Sequence, residues 1–399
     1  MIKHMFKLIW HRKRRNLLMI LEILICFIVL FVVFITVIFQ LNNYLKPLGF
    51  DYHDVWMITM DWQNQDPESV IATLEQIRTA LDAIPAVESH ALSNSLMFIP
   101  TAVSGAKVKY NGVEISTEYL RGGDDFAEVL RIPILAGRWF TAEDDISYRR
   151  ALVINRKLEK DLFRGENGLG KIITEDEEEC IVVGIISDFR NSGELSRSKK
   201  IAFERINLDA EITGSHFVSD NFGKRILIRV KPGTTMDFEE KLVGAISSVA
   251  KTFTIRATTM ELARQKSNRT NVTLPIILAI VCGFLIINVS LGLFGIIWYN
   301  TGKRRPEIGL RRAMGATVID IYKQIVGESV VLTSIAVGLA SLICLQLPLL
   351  NPIPFVETKV YYWAWLSSLV LIYLISVLCA AYPGKLAAET QPAMALHEE

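Results

Sequence analysis

The sequence predicts an α-helical membrane protein with four transmembrane helices and an α+β extracytoplasmic domain inserted between the first and the second. Four nearly unbroken apolar runs carry this prediction. Each is long enough, at about 1.5 Å per helical residue, to cross a hydrocarbon core of about 30 Å. One run precedes a long stretch of mixed composition and three follow it, in a one-plus-three arrangement. We predict spans at residues 17–39, 272–298, 326–345 and 360–381.

Basic residues beside the spans predict the orientation. Lys and Arg cluster in residues 1–16 and at the start of residues 299–325, and such clusters in short flanking segments mark the cytoplasmic side. Both termini, 1–16 and 382–399, are therefore expected in the cytoplasm. Residues 40–271 and the short loop 346–359 are expected outside it, which makes the chain a multi-pass protein of the cell (inner) membrane.

Two features near the spans do not change this topology. Arg264, Lys266 and Arg269 lie on the wrong side of the membrane by the charge rule, but long translocated domains largely escape that rule. The N-terminal run is not expected to be a cleaved signal peptide, because its apolar part is too long and no small-residue cleavage site follows.

The overall charge argues against a nucleic-acid partner. The chain carries 43 Lys and Arg against 42 Asp and Glu, so it has no general basic field. Four of the five cysteines fall in the predicted spans and only Cys180 lies in the outer region. No internal disulfide is therefore expected in that region, which must be held together by packing.

The outer region, 40–271, has mixed α and β character. Residues 68–84 place apolar side chains on one helical face, and residues 238–249 also have helical periodicity. The order β–α–β, then a mostly-β block, then β–α–β predicts an α/β part split around an insertion. Residues 187–226 follow no clear pattern, and a polar helix is expected to run from about Glu261 into the second span. The predicted strands are 106–110, 151–154, 180–186, 225–230 and 252–257.

The segment after the second span, residues 303–316, has the residue pattern of a short capped helix. Pro306 suits a first helical position and Glu307 suits the positive end of the helix dipole. Glu307 and Arg311 are an i, i+4 pair, and Gly315 suits a left-handed stop. Such a helix could dock on a cytoplasmic partner. It could equally be a solvated helix that lies on anionic lipid headgroups. The residues alone leave both open.

The same segment resembles the signature of FtsX-like, MacB-type ABC permeases. The resemblance rests on residues 305–316 followed by Ile321, Gln324 and Glu328, and on two further groups of motifs. Pro306 departs from the family pattern, in which Arg or Lys is more usual, and this affects only the start of the helix. The further motifs are Gly137-Arg138-Trp139-Phe140-Thr141-Ala142-Glu143-Asp144-Asp145 with segments 151–155, 162–163, 170–171 and 182–189, and the tail segments 382–388 and 391–396.

The resemblance implies the role of a permease subunit. In that family the loop after the second span, here within residues 299–325, docks on an ATP-binding subunit that holds ATP and Mg, and a second permease copy, identical or paralogous, completes the assembly. A periplasmic adaptor and an outer-membrane channel are further partners in such systems. The residues expected to couple to the ATPase are Arg305, Pro306, Glu307, Ile308, Gly309, Leu310, Arg311, Arg312, Met314 and Gly315.

No ATPase, metal or catalytic site is expected in this chain. Residues 165–171 have the spacing of a phosphate-binding loop, but Ile172 stands where the Mg-binding hydroxyl is needed. His53, His90 and His216 lack ligand spacing. The acidic run 175–179 is expected to be a solvated turn between two strands rather than a calcium site. We therefore expect no enzyme activity and no cofactor in this chain.

Few polar residues interrupt the spans, which disfavours an ion channel. Glu22 is expected to reach the cytoplasmic headgroups. Asn288 and Ser290 are candidates for an interhelical hydrogen bond. Gly283, Gly292 and Gly295 are expected to permit close helix contact.

Two functions remain open for such a permease. It would transmit ATP-driven movement to the outer domain for export of a peptide, antibiotic or lipid-linked substrate, or, as an FtsX-type regulator, activate a cell-wall hydrolase without transporting a substrate. A membrane sensor is disfavoured, because the cytoplasmic tail 382–399 is too short for an output domain.

Overall fold

The computed structural model describes residues 13–62, 65–95, 97–98, 105–175, 178–206, 225–234, 237–350 and 356–389, with the side chains of residues 13–16 and 67 left out. The chain divides into two compact units, which are described separately. One is Asn43–Asn271, and the other combines Met1–Asn42 with Val272–Glu399. Predictions on the basic residues before Lys13, on His216 and on the tail motif 391–396 lie outside the described residues.

The described elements alternate helices with short strands. The helices are α1 (Lys13–Tyr44), α2 (Pro67–Asp82), α3 (Phe126–Val129), α4 (Arg156–Leu162), α5 (Phe238–Val249), α6 (Met260–Lys303), α7 (Arg305–Ala313), α8 (Val318–Cys344), α9 (Gln346–Leu350) and α10 (Thr358–Ala388). The strands are β1 (Val55–Asp61), β2 (Val87–Ser93), β3 (Gly105–Tyr110), β4 (Val113–Gly122), β5 (Ile134–Gly137), β6 (Arg150–Asn155), β7 (Ile172–Glu175), β8 (Glu178–Ile186), β9 (Ile201–Arg205), β10 (Arg225–Val230) and β11 (Thr254–Thr259).

Four helices of the described chain are long and apolar enough to cross a membrane. They are α1, α6, α8 and α10, and the prediction of four apolar helices is therefore confirmed. The predicted start of a long helix near Glu261 is also confirmed, because α6 begins at Met260. The predicted loop 346–359 contains the short helix α9. The points at which a bilayer would begin and end along these helices remain predictions.

The apolar helices pack through one face of α1 and through a hydrogen-bonded contact between α8 and α10. Ile23, Phe27 and Leu30 recur at helical spacing and are buried in the core of this unit. Between α8 and α10, the Ser329 and Ser376 hydroxyl oxygens lie 2.8 Å apart, and Thr333 Oγ1 donates to Ser376 Oγ at 2.7 Å. These buried bonds lock the two helices together.

The polar residues of the apolar helices behave differently from the predictions. Asn288 donates to the carbonyl of Phe284 at 2.8 Å, in its own helix, and not to the other helix for which it was a candidate. The side-chain amide satisfies itself locally because the carbonyl four residues earlier is within reach. The Ser290 carbonyl does accept an interhelical bond, from Cys379 Sγ at 3.5 Å.

The predicted close contacts at glycines are confirmed at only one position. A Cβ built on Gly292 would lie 2.7 Å from Glu22 Oε1, so Glu22 lies against α6. A Cβ at Gly283 or Gly295 would meet nothing within 4 Å in the described chain. These two glycines were predicted as contacts from residue type alone, which does not tell which side of a helix meets a neighbour.

The α+β unit contains a four-stranded antiparallel sheet in the order β11-β1-β10-β2. Helices α2 and α5 contribute Leu74 and Leu242 to the core that this sheet forms with Trp56 and Ile228. Both helices were predicted from periodicity and are confirmed. Asp66 caps α2 by accepting from the Ser69 N–H at 3.3 Å.

A second group of strands lies between β2 and β10 in the chain. Its order is β4-β3-β7-β8-β6-β9, and β9 also pairs with β4, so the six strands close on themselves. It joins the first sheet at one described pair, Ser93 with Gly122. The predicted strands at 106–110, 151–154 and 180–186 are confirmed within it.

In the acidic run between β7 and β8, Glu178 and Glu179 are exposed as a solvated turn requires, but Glu175 differs from that prediction. Glu175 is buried, and its Oε2 accepts from Arg150 Nη2 at 2.5 Å. Arg150 Nη1 also lies 2.6 Å from Glu204 Oε1, so the guanidinium is shared between two buried carboxylates. Buried carboxylates need such partners, and the partners come from strands distant in sequence. No group of three or more His, Cys, Asp or Glu in the described chain forms a metal site.

Residues 165–171 form a turn between α4 and β7. Gly165 and Gly170 have φ values of 93° and 75°, and the Lys171 ammonium pairs with Glu166. The lysine that would bind phosphate is thus engaged with a carboxylate. This agrees with the prediction that the segment is not a phosphate loop.

Candidate functional site

The candidate site is the charged helix α7 with its flanking turns, between α6 and α8. Pro306 lies in its first turn and Glu307 follows it, as the sequence predicts. Gly315 ends the segment with φ of 103°, which confirms the left-handed stop. A capping box then starts α8, in which the Thr317 hydroxyl accepts from the Asp320 N–H at 3.2 Å and the Thr317 N–H donates to Asp320 at 3.1 Å.

One face of α7 is packed. Ile308 is 6% exposed and forms a small apolar cluster with Ile321 of α8 and with Ala387 and Ala388 of α10. Burying one isoleucine side chain contributes about 2 kcal/mol, which is enough to hold a short helix in one position. The helix is therefore attached to α8 and α10.

A connected set of polar side chains also holds α7 in place. Arg304 Nη1 donates to the two carboxylate oxygens of Glu328, at 2.9 and 2.7 Å. Gln324 Nε2 donates to Glu328 Oε1 at 3.2 Å, and Arg311 Nη1 donates to Gln324 Oε1 at 2.6 Å. Arg311 Nη2 completes the set with the predicted i, i+4 bond to Glu307 Oε1 at 2.6 Å. We call these five residues the coupling network.

The exposure of these groups indicates which bonds are strong. The side chains of Arg304 and Glu328 are only 17% and 21% exposed, whereas that of Glu307 is 51% exposed. An ion pair shielded from water is less screened than a surface pair, and a charge-assisted hydrogen bond of this kind contributes about 1.5–3 kcal/mol. The Arg304–Glu328 bond is thus the strongest bond of the network. Glu307 is the member of the network that is most exposed to solvent.

Three large apolar side chains in and beside the segment are exposed. Leu310 and Met314 are 52% and 72% exposed, and Ile319 at the start of α8 is 60% exposed. Large apolar side chains grouped on a charged segment are typical of a protein docking surface. We call Leu310, Met314 and Ile319 the exposed apolar set.

The structure brings the ten predicted coupling residues into one short segment but gives them different surroundings. Ile308 and Gly309 are buried, Arg311 and Arg312 are half-buried, and Arg305, Pro306, Glu307, Leu310, Met314 and Gly315 are exposed. The sequence analysis missed Arg304 and its partnership with Glu328. The i, i+4 spacing of Gln324 and Glu328 is a usable signal, because it places two acceptors on one face of α8 beside the arginines.

The family model of the MacB-like periplasmic core domain matches residues 17–245, more than half of the chain, and the model of the FtsX-like permease C-terminal region matches residues 272–392. The second match contains α7 and the whole coupling network.

Curated relatives agree with these matches. A macrolide export ATP-binding/permease protein MacB from Wolinella succinogenes is 27% identical over 77% of this chain and 48% of its own length. A probable syringafactin export ATP-binding/permease protein SyfD from Pseudomonas syringae is 25% identical over 60% of this chain and 36% of its own length. The periplasmic region of MacB from Actinobacillus actinomycetemcomitans aligns with 56% of this chain and 96% of its own, with a TM-score of 0.38 and 15% identity.

The chain spans about half the length of the first of these curated relatives. Four apolar helices, an α+β domain and the two family matches agree with one another. The chain belongs to the family of MacB-like, FtsX-like permeases of ABC systems.

Proposed function

We propose that this chain is the transmembrane subunit of an ABC-type export system, in which it transmits ATP-driven movement across the inner membrane. In this proposal the four apolar helices span the membrane with one before and three after the α+β domain. Both termini lie in the cytoplasm and the α+β domain lies outside it. Membership in the permease family supports the proposal, as do relatives named for export.

The coupling network is the observation that carries the proposal. Through Arg304 and Glu328 it joins the end of α6 to the start of α8, and through Arg311 it extends to α7. A displacement of α7 would therefore pass to both long helices rather than be absorbed by a loose loop. Since α6 begins at Met260, the same helix reaches into the α+β unit.

An ATP-binding subunit is the proposed partner at this site. The exposed apolar set would be buried against it, while the subunit itself would hold ATP and Mg. A second permease copy, identical or paralogous, would complete the assembly, and an adaptor with an outer-membrane channel would extend it. This chain would contribute no catalytic residue and no cofactor site.

The proposed substrate class is a peptide, an antibiotic or a lipid-linked molecule. Relatives named for macrolide and syringafactin export favour a transporter over the hydrolase regulator. In the proposed mechanism of export, the α+β unit moves outside the cytoplasm, and this movement displaces the substrate.

Replacement of the exposed apolar set tests the docking role. The double variant Leu310→Asp and Met314→Asp places charges on side chains that are more than half exposed, so the chain should fold normally. Because each apolar side chain buried at an interface contributes about 1.5–3 kcal/mol, co-purification of the ATP-binding subunit from host membranes should fall at least tenfold. Ile146→Asp, at a residue that is 87% exposed in the α+β unit, is the matched control. Equal recovery of the ATP-binding subunit with all three proteins would refute the docking role.

A further inference from the structure

Residues 187–196 lie in the part of the chain where the sequence shows no pattern, and they form an irregular loop within the unit Asn43–Asn271. We call them the bridging loop. It contacts two other segments: residues 46–50, which follow α1 and which we call the entry segment, and the first turns of α6. These are the two places where the chain enters and leaves the α+β unit.

Arg190 attaches the bridging loop to the entry segment. Its side chain is 2% exposed, and Nη1 donates to the Lys46 carbonyl at 2.8 Å. Its backbone N–H donates to the Leu48 carbonyl at 3.0 Å. Nη2 donates to the carbonyls of Glu194 and Ser196, which fixes the shape of the loop itself. Several carbonyls at fixed positions suit the planar fork of a guanidinium and do not suit an ammonium group.

Gly49 and Phe50 complete this contact. Gly49 has φ of 85°, and a Cβ on it would lie 1.7 Å from the carbonyl oxygen of Asp188. The entry segment therefore runs directly against the backbone of the bridging loop. Beside it, the rings of Phe50 and Phe189 lie 4.8 Å apart between centroids. The contact is thus closed by both backbone and side chains.

Glu194 attaches the other end of the bridging loop to α6. Its Oε1 accepts from Arg264 Nε at 2.6 Å, and its Oε2 accepts from Asn268 Nδ2 at 2.7 Å. Arg264 and Asn268 are one helical turn apart, so a single carboxylate spans a turn of the helix. The Arg264 guanidinium also lies 4.9 Å from the ring centre of Tyr52, close to the entry segment.

We infer that the bridging loop ties the start of α6 to the chain that follows α1, and that Glu194 and Arg190 are positioning residues that pass the movement of α6 into the α+β domain. This inference rests on the proposed function, because it names the point at which that domain receives the movement. A carboxylate that bridges two residues of the helix resists both its rotation and its translation. Arg190 holds the carbonyls of Lys46 and Leu48, and through these two bonds the displacement reaches the entry segment.

Hydrogen–deuterium exchange of the full chain in lipid nanodiscs, together with the ATP-binding subunit that co-purifies with it, tests the inference. Exchange is compared between the nucleotide-free state and the state trapped with ATP and orthovanadate. In the native chain, exchange of peptides covering residues 187–196 should change by at least about threefold between the two states. In Glu194→Gln the change should disappear, while ATP hydrolysis and subunit recovery stay within twofold of the native values, an uncoupling that a merely structural role would not produce.

Two further variants sharpen the test. Arg264→Lys keeps the charge and should retain part of the change. Glu261→Gln, which removes a carboxylate that binds Arg264 Nη1 at 3.1 Å but does not contact the bridging loop, should retain all of it. If Glu194→Gln fails to fold, Asn268→Ala removes one of the two bonds to Glu194 and should reduce the change.

The outcomes separate the inference from the proposed function. A nucleotide-dependent change in peptides of α7 without a change in residues 187–196 would overturn the inference and leave the proposed function standing. A full change in folded Glu194→Gln would overturn the role of Glu194. If exchange changes neither in the peptides of α7 nor in those of residues 187–196, both the inference and the proposed function are overturned.

Discussion

Arg304 and Glu328 are 24 positions apart in the chain, and Nη1 of the arginine lies 2.9 and 2.7 Å from the two carboxylate oxygens of the glutamate. Arg304 directly follows α6 and Glu328 lies in the third turn of α8. The pair therefore joins two long apolar helices at the same end as α7. Both side chains are largely shielded, so the pair is a constraint on α7 rather than a mobile surface contact.

Reversal of one charge in this pair should destabilise the helical unit. Arg304→Glu or Glu328→Arg places two like charges together, and we expect each to cost about 2 kcal/mol, with at least half recovered in the double variant. Thermal unfolding in detergent measures the cost. The control pair is Arg149 and Glu179, which has a similar distance of 2.7 Å but is 42% and 52% exposed. Its reversal should cost less than about 1 kcal/mol. Equal costs for the two pairs would contradict the claim that shielding strengthens the first.

The pair Arg138–Asp144 should make the α+β domain sensitive to acid. Arg138 donates two bonds to Asp144, at 2.7 and 2.6 Å, and these lower the pKa of the carboxyl below its usual value. A lowered pKa means that the stabilisation is complete above the unfolded pKa of about 3.9 and is lost as the pH falls through the folded pKa.

Asp144→Asn should therefore be less stable than the native chain by about 1 kcal/mol at pH 7, a small value because Arg138 is half exposed. The difference should stay constant down to about pH 5 and vanish below the folded pKa. Thermal midpoints across this range measure it. Asp125→Asn, at an exposed carboxylate with no ion pair in the described chain, should show no such pattern. A difference that persists at low pH would rule out the ion pair as its cause.

The parts of the site that depend on neighbours in sequence could be predicted. Pro306, Gly315 and the spacing of Glu307 and Arg311 each act within a few residues, so they define α7 before any tertiary contact is known. The four apolar helices could be predicted for the same reason, because length and hydropathy are local properties.

The parts that depend on distant backbone could not be predicted. The partners of Arg190 are backbone carbonyl oxygens, which every residue possesses. No pattern of side chains in the sequence could therefore predict these contacts. Glu175 belongs to an acidic run that is typical of a solvated turn, and only the folded strands bring Arg150 to it. Gly292 was distinguishable from Gly283 only after the position of Glu22 was known.

The contact between α8 and α10 should depend on Ser376. This hydroxyl pairs with Ser329 and Thr333, both buried, and each such bond within apolar helices contributes about 0.6 kcal/mol. Ser376→Ala should therefore cost about 1 kcal/mol. Ser368→Ala is the control, because the buried Ser368 hydroxyl donates to the Ala364 carbonyl of its own helix. Unfolding in mixed micelles with rising SDS measures both, and an equal effect would contradict an interhelical role for Ser376.

Substitution of Gly49 should be among the most disruptive single changes in the α+β domain. An alanine there needs a left-handed backbone, which costs about 1–2 kcal/mol, and its Cβ would overlap the Asp188 carbonyl oxygen at 1.7 Å. Backbone cannot move aside as a side chain does, so we expect a total cost above about 3 kcal/mol.

Gly112→Ala separates the two contributions. Gly112 has a similar φ of 79°, but a Cβ there meets nothing within 4 Å, so only the conformational cost should appear. Thermal unfolding of the full chain in detergent compares them. Equal destabilisation by the two substitutions would mean that the entry segment does not press against the bridging loop.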